Sequence, residues 1–227
     1  MVERFPDEFV TWHHPSPLGV KVDEVFGMDD KSGNVWRQLA MQIFCEQGEP
    51  NYRVIGHFDN GAPFIEGVKA RISITHTSHF LAVASLPKTP EIDLASFNPR
   101  AAMGIDAEPL DRRQVINVRS KFLSDTELNM VPEDDLQTNI IAWTCKEALY
   151  KAALIPGLDF KNSIQLLKLP SLESDPVKAN INSLGQAQII FPEDSLWGIQ
   201  PMKLFSYTSY NCCVTIAISP KANRFGK

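Results

Sequence analysis

Long apolar runs are missing from this chain. Nothing in its 227 residues approaches the roughly 18–20 consecutive apolar positions of a membrane helix. Positive charge is in the minority, with 22 lysines and arginines against 27 aspartates and glutamates and a net charge of −5. That balance argues against wholesale nucleic-acid binding, so an anionic ligand must be held by a local basic pocket. Cysteines are few and form no C-x-x-C pair: Cys45, Cys145, Cys212 and Cys213 read as reduced, mostly buried thiols of a cytoplasmic protein. Cys212 and Cys213 are adjacent, and on a strand they would point to opposite faces. The opening residues, MVERFPDEFVTWHHPSP, lack the basic and apolar regions of a secretory leader. What the chain does have is ordinary globular material, 44% hydrophobic and 22% charged, enough for a substantial core.

Periodicity predicts a helix over VWRQLAMQIFCEQ (35–47) and turns at GEPNYR and at Asn60-Gly61. ARISITHTSHFLAVASL (70–86) alternates and then becomes continuously apolar, the pattern of a strand entering a covered sheet. PKTPEIDLASFNPR (87–100), with three prolines, is the candidate linker. Beyond it, AAMGIDAE (101–108) is a short strand closed by Pro109, and FLSDTELNM starts a helix with a Ser124–Glu127 capping box. NIIAWTCKEALYKAALI (139–155) is the strongest helix, with Ile141, Cys145, Ala148, Ala152 and Ile155 on one stripe and Gly157 as a stop. SIQLLKL, AQIIFP, WGIQPMKLFSYTS and NCCVTIAIS read as strands. TSHFLAVAS (77–85) and TSYNCCVTIAIS (208–219) share a Thr-Ser-aromatic lead into an apolar strand, which suggests two similar α+β halves.

Two stretches hold candidate chemistry. In MGIDAEP, Asp106 and Glu108 sit at i and i+2 and would present their carboxylates on one strand face. Like charges so close raise each other's proton affinity unless a cation neutralises them, and Mg²⁺ is an economical partner. Alone, the pair reads rather as two unrelated surface acids at a solvated strand end. In WTCKEALYKA (143–152), Trp143, Glu147 and Lys151 fall at i, i+4 and i+8, beside the apolar stripe. A third carboxylate and a lysine could complete a metal and phosphate site, although Glu–Lys pairs are common on helix surfaces.

Together, GIDAE, the F-L-S-x-x-E segment and WTCKEALYKA resemble the phosphopantetheinyl transferases of the long, Sfp-like class, whose motifs are G-[IV]-D-x-E and W-x-x-K-E-[AS]-x-x-K. Gly104, Ile105, Asp106 and Glu108 match the first; Trp143, Lys146, Glu147, Ala148 and Lys151 match the second. ISITHTSHFLAVA is similar to the family's I-S-H-S strand, with Thr75 and His76 in the Ser-His positions. The resemblance implies an α+β pseudo-dimer of two similar halves, 1–97 and 101–227, with the active site in the cleft between them. It implies a 4′-phosphopantetheinyl transferase of the holo-[acyl-carrier-protein] synthase type. Such an enzyme moves the phosphopantetheine arm of coenzyme A to a serine of an acyl, peptidyl or aryl carrier protein and releases adenosine 3′,5′-bisphosphate. Asp106, Glu108 and Glu147 would hold Mg²⁺ or Mn²⁺, Lys151 and Lys146 would neutralise the pyrophosphate, and Thr75 and His76 would bind the 3′-phosphate. A His76/His79 zinc pair is a rival reading, but residues three apart on a strand face opposite ways. One departure stands out: where the family commonly has a basic residue between Gly and Pro before that strand, this chain has Gly61-Ala62-Pro63. Arg53, Lys69 and Arg71 are candidate substitutes.

The implied chemistry needs a base for the serine proton: Glu147 first, a metal-bound water second, Glu127 third. Glu147 and Lys151 are thus the catalytic pair. RRQVINVRSK (112–121) offers Arg112, Arg113, Arg119 and Lys121 as a basic surface for an acidic carrier, with Val115, Ile116 and Val118 interleaved. A monomer is expected, without nucleic-acid or membrane partners. Two other classes share these residues: another Mg²⁺-dependent enzyme acting on a nucleotide diphosphate, and a non-catalytic carrier-binding protein.

Overall fold

The computed structural model describes residues 20–26, 55–66, 70–86, 93–174, 183–220 and 222. The helix expected over 35–47, the turn at 48–53, Cys45, Arg53, Lys69 and residues 87–92 lie outside them. The protein is α+β. Its strands are β1 (Lys21–Phe26), β2 (Ile55–His57), β3 (Pro63–Ile65), β4 (Arg71–His76), β5 (Phe80–Leu86), β6 (Met103–Pro109), β7 (Ile164–Lys168), β8 (Leu172–Glu173), β9 (Gly185–Ile190), β10 (Ile199–Ser209) and β11 (Cys212–Ile218). Its described helices are α1 (Gln114–Phe122), α2 (Asp125–Met130) and α3 (Leu136–Ala153). No described helix is long and apolar enough to cross a membrane.

The strands form a three-stranded sheet in the order β1-β5-β4 and a larger one in the order β6-β11-β10-β9-β7, with β8 parallel to β10. β2 and β3 make a small hairpin whose tight turn passes through Gly61 at φ +81°. The order and sense of β1-β5-β4 match those of β6-β11-β10, and each triplet is antiparallel throughout. In each, the last two strands form a hairpin at the Thr-Ser-aromatic sequence. The β10–β11 turn places Tyr210 and Asn211 at positive φ, 44° and 60°.

The stretch 70–86, expected as one strand, is therefore a hairpin. Thr77–His79 form its turn, closed by a bond from Thr77 N–H to Phe80 O at 2.7 Å. No Gly or Pro marks that turn, so the alternation on both sides reads as continuous. The candidate linker is also more than a linker in its described part. Phe97 is buried and packs on Phe191 and Trp197, with ring centroids 4.5 and 5.5 Å away.

Period-2 alternation sorts the larger sheet onto two cores. Cys212, Val214, Ile216 and Ile218 of β11 and Met103, Ile105 and Ala107 of β6 face a core shared with Val22 of β1 and Phe80 and Ala82 of β5. Cys213 and Ala217 face the other core, made with α3. The two cysteines do point to opposite faces, and both are buried because both faces are covered. α3 lies with Ile141, Cys145, Ala148 and Ala152 on the sheet. It ends at Leu154 in the left-handed conformation, φ 59°, rather than at Gly157.

Two features bring α3 and the small sheet together at β6. Gly104 lets the helix touch the strand: a Cβ there would lie 2.0 Å from Ala148 O and 2.8 Å from Ala152 N. On the strand's outer edge, β4 answers with hydroxyls instead of a backbone ladder. Ile105 N–H donates to Ser73 Oγ at 3.1 Å, and Ala107 N–H donates to Thr75 Oγ1 at 3.0 Å.

Candidate active site

Because Met103, Ile105 and Ala107 take the apolar face of β6, Gly104, Asp106 and Glu108 face α3. The two carboxylates are nearly buried, with 6% and 8% of their surfaces exposed. They border a pocket of about 510 Å³ lined by residues 74–78, 106–109, Arg112 and Lys151. Lys151 reaches across the junction of β4 and β6. Its ammonium donates to Asp106 Oδ1 at 2.8 Å, Ile105 O at 3.0 Å and Ile74 O at 3.4 Å. Thr75 is also built into this junction, since its hydroxyl donates to Asp106 Oδ1 at 3.2 Å while accepting from Ala107 N–H. His76 is exposed in the pocket wall; His79 is exposed outside it.

Glu108 is held from the other side. Trp143 Nε1 donates to its Oε1 at 3.0 Å, and Arg112 Nη1 binds the same oxygen. Trp143 is itself fixed edge-on against Phe122, with centroids 4.9 Å apart, and stacks over Phe160 at 6.2 Å. Glu147 stands one turn before Lys151 on α3. Its pKa is raised to about 7, first by partial burial and then by the charges of Asp106 and Glu108, against Lys151 and Arg112, which pull it down.

Lys146 is not brought to the pocket. It precedes Glu147 by one position, which turns it about 100° around the helix, and its side chain is 0% exposed. Its ammonium donates to Glu127 Oε2 at 2.8 Å, to Phe160 O at 2.7 Å and to Ile164 O at 2.5 Å. Burial lowers its pKa, and Glu127 opposes that shift. Glu127, the third candidate base, is equally committed. The capping box with Ser124 is present, and the same carboxylate accepts Leu166 N–H at 2.7 Å. Arg71, a candidate for the missing cation at Ala62, is buried and donates to Leu94 O at 2.7 Å and Ser96 O at 3.0 Å. In the segment 112–121, Arg113 and Lys121 are exposed as expected. Arg119 instead ties α1 to the α2–α3 connection through Val131 O and Asn139 Oδ1.

Among the described residues, no three of His, Cys, Asp and Glu converge into a preformed metal cage. The donor set nevertheless fits a hard cation. Asp106 Oδ2 is buried with no hydrogen-bond partner among the described residues. Glu147, outside the pocket lining, has a pKa raised to about 7, with the charges of Asp106 and Glu108 among the causes. An uncompensated oxygen and mutually repelling carboxylates are what a divalent ion relieves.

Two nearly buried carboxylates, Asp106 and Glu108, each paired with a cation, Lys151 and Arg112, in the wall of one pocket are the kind of charged, concave arrangement that suits a polar ligand. Residues 102–201 match the family model of the 4′-phosphopantetheinyl transferase superfamily (ACPS). That match supports a transferase of the phosphopantetheinyl type. No match is found among curated proteins. The matched stretch contains Asp106, Glu108, Arg112, Glu147 and Lys151; Thr75 and His76 lie before it.

Sequence reasoning missed two members of the site. Gly104 was visible only as a motif letter, and its role of admitting the α3 backbone needs the packed structure. Arg112 was grouped with a surface patch, although its place four residues after Glu108 on a turning chain was a signal.

Proposed function

We propose that this protein transfers the phosphopantetheine arm of coenzyme A to a serine hydroxyl of a carrier protein, with adenosine 3′,5′-bisphosphate as leaving group. The observation that carries the proposal is the buried Oδ2 of Asp106, without a partner among the described residues, in the same pocket as Glu108 and Lys151, with Glu147 on α3 near enough to feel the charge of both carboxylates. Asp106, Glu108 and Glu147 would hold a Mg²⁺ or Mn²⁺ ion, which when bound supplies charge neutralisation to the pyrophosphate oxygens. Lys151 pairs with Asp106 and brings positive charge to the edge of the pocket where the phosphates would lie. Trp143 keeps the Glu108 carboxylate turned toward the pocket. Glu147 is the proposed acceptor of the proton from the attacking serine Oγ. His76, exposed in the wall, is the proposed contact for the 3′-phosphate, and Thr75 supports it from the junction of β4 and β6. The shared strand order of the two sheets supports two duplicate halves, 1–97 and 101–227, with the pocket at their meeting edge. Arg113 and Lys121 remain exposed for an acidic carrier.

The test is mass spectrometry of a carrier protein incubated with coenzyme A, Mg²⁺ and this protein. A gain equal to one phosphopantetheine group is expected. It should disappear with Asp106→Asn or Glu147→Gln while thermal unfolding stays near wild type. Cleavage of the nucleotide without a modified carrier would instead identify a different diphosphate-acting enzyme, and modification unchanged in both variants would refute the site.

A further inference from the structure

Arg112 ends the turn that follows β6: its N–H donates to Pro109 O at 3.1 Å, which folds the chain back on the strand it has left. The guanidinium thereby lines the pocket and pairs with Glu108, while 42% of the side chain stays exposed. The other cations near the pocket are committed. Lys151 is spent on three acceptors of β4 and β6, and Arg71 and Lys146 are buried on backbone carbonyls. Among the described residues, Arg112 is the pocket cation held by a single, solvent-reachable ion pair. A guanidinium matches the oxygens of a phosphate in a two-pronged fashion. A divalent cation on Glu108 would compete with Arg112 for the same carboxylate and repel it.

We infer that Arg112 is the exchangeable anion ligand of this pocket. With the pocket empty it rests on Glu108; when a divalent cation takes that carboxylate, the guanidinium turns to the ligand's phosphate oxygens. This inference rests on the transferase reading above.

An ion-pair exchange makes one substitution act in opposite directions on two ligands. Isothermal titration calorimetry of the full chain with MnCl₂ alone, and with coenzyme A at saturating Mn²⁺, reads both. In Arg112→Ala, Mn²⁺ should bind several-fold tighter without nucleotide, because a competing cation is gone. Coenzyme A should bind about tenfold more weakly, the scale of one charge-assisted contact. Arg112→Lys, which keeps the charge and serves if the alanine variant folds poorly, should bind Mn²⁺ like wild type and coenzyme A at an intermediate level. Mn²⁺ affinity that is unchanged or weaker in Arg112→Ala, or coenzyme A affinity equal to wild type, would overturn the role of Arg112 alone. Wild-type protein that binds no coenzyme A at saturating Mn²⁺ would overturn the transferase reading, and this inference with it.

Discussion

Replacing Gly104 by alanine tests how closely catalysis depends on the seating of α3. The added Cβ would sit 2.0 Å from Ala148 O and 2.8 Å from Ala152 N, both backbone atoms of the helix. Real Cβ contacts essentially never fall below 3.0 Å, so the strand and helix must separate by about 1 Å at this point (3.0 − 2.0). No side chain can rotate out of the way. Overpacking of this kind costs about 1–3 kcal/mol, which in a chain of this size lowers Tm by roughly 2–12 °C. The functional loss should be larger than the stability loss. Lys151 and Glu147 ride on the displaced helix, and the Lys151–Asp106 contact at 2.8 Å would stretch beyond a hydrogen bond. A displacement of about 1 Å near reacting groups can reduce turnover about 100-fold. Differential scanning calorimetry and the carrier mass-shift assay, run below the variant's Tm, separate the two effects. Ala148→Gly should fail to rescue, because the clash is with a carbonyl oxygen. A variant with wild-type Tm and turnover would show that the helix is not seated on β6 as described.

Lys146→Met should destabilise by about 3–5 kcal/mol, since it strands Glu127 without its buried partner; denaturant unfolding measures this. The KM for coenzyme A should hold in the folded protein, and a selective rise in that KM would instead return Lys146 to the pyrophosphate. His76→Ala should raise the KM for coenzyme A much more than for dephospho-coenzyme A; an equal effect on both would remove the 3′-phosphate from its role. Glu24 has a pKa raised above the ordinary 4.5, chiefly by burial, with Ser209 and Tyr207 hydroxyls opposing. Its folded state therefore holds the proton more tightly than the unfolded chain. That contribution is fully present below pH about 4.5 and is lost as pH rises through the raised value. Glu24→Gln, which cannot ionise, should flatten the stability–pH curve just above 4.5, and unchanged curvature there would count against the assignment.

Much of the site was legible because its parts follow local rules. The i, i+2 spacing of Asp106 and Glu108 put both on one face of β6, and the position of Lys151 beside the apolar stripe put it over that face. The Ser124–Glu127 box and the α3 stripe were equally local. What stayed hidden depended on partners distant in sequence. Nothing near Lys146 announces that Glu127, Phe160 and Ile164 surround it, and a one-residue step along a helix is enough to send it to a different environment. Arg119 looked like a surface charge because its acceptors, Val131 and Asn139, belong to later segments. The Thr77–His79 turn carries none of the residues that usually mark turns, so a hairpin passed for one strand.

The hydroxyls of Ser73 and Thr75 have a consequence for solubility. β6 borders its sheet, and an open border with bare amides is a template on which another chain can polymerise. Two short side chains occupy the Ile105 and Ala107 amides, so that border is closed without recruiting a further strand. The plug comes from a segment some thirty residues earlier in the chain. A fragment beginning at β6 would therefore expose a sticky edge, and concentration-dependent association is the behaviour expected of it.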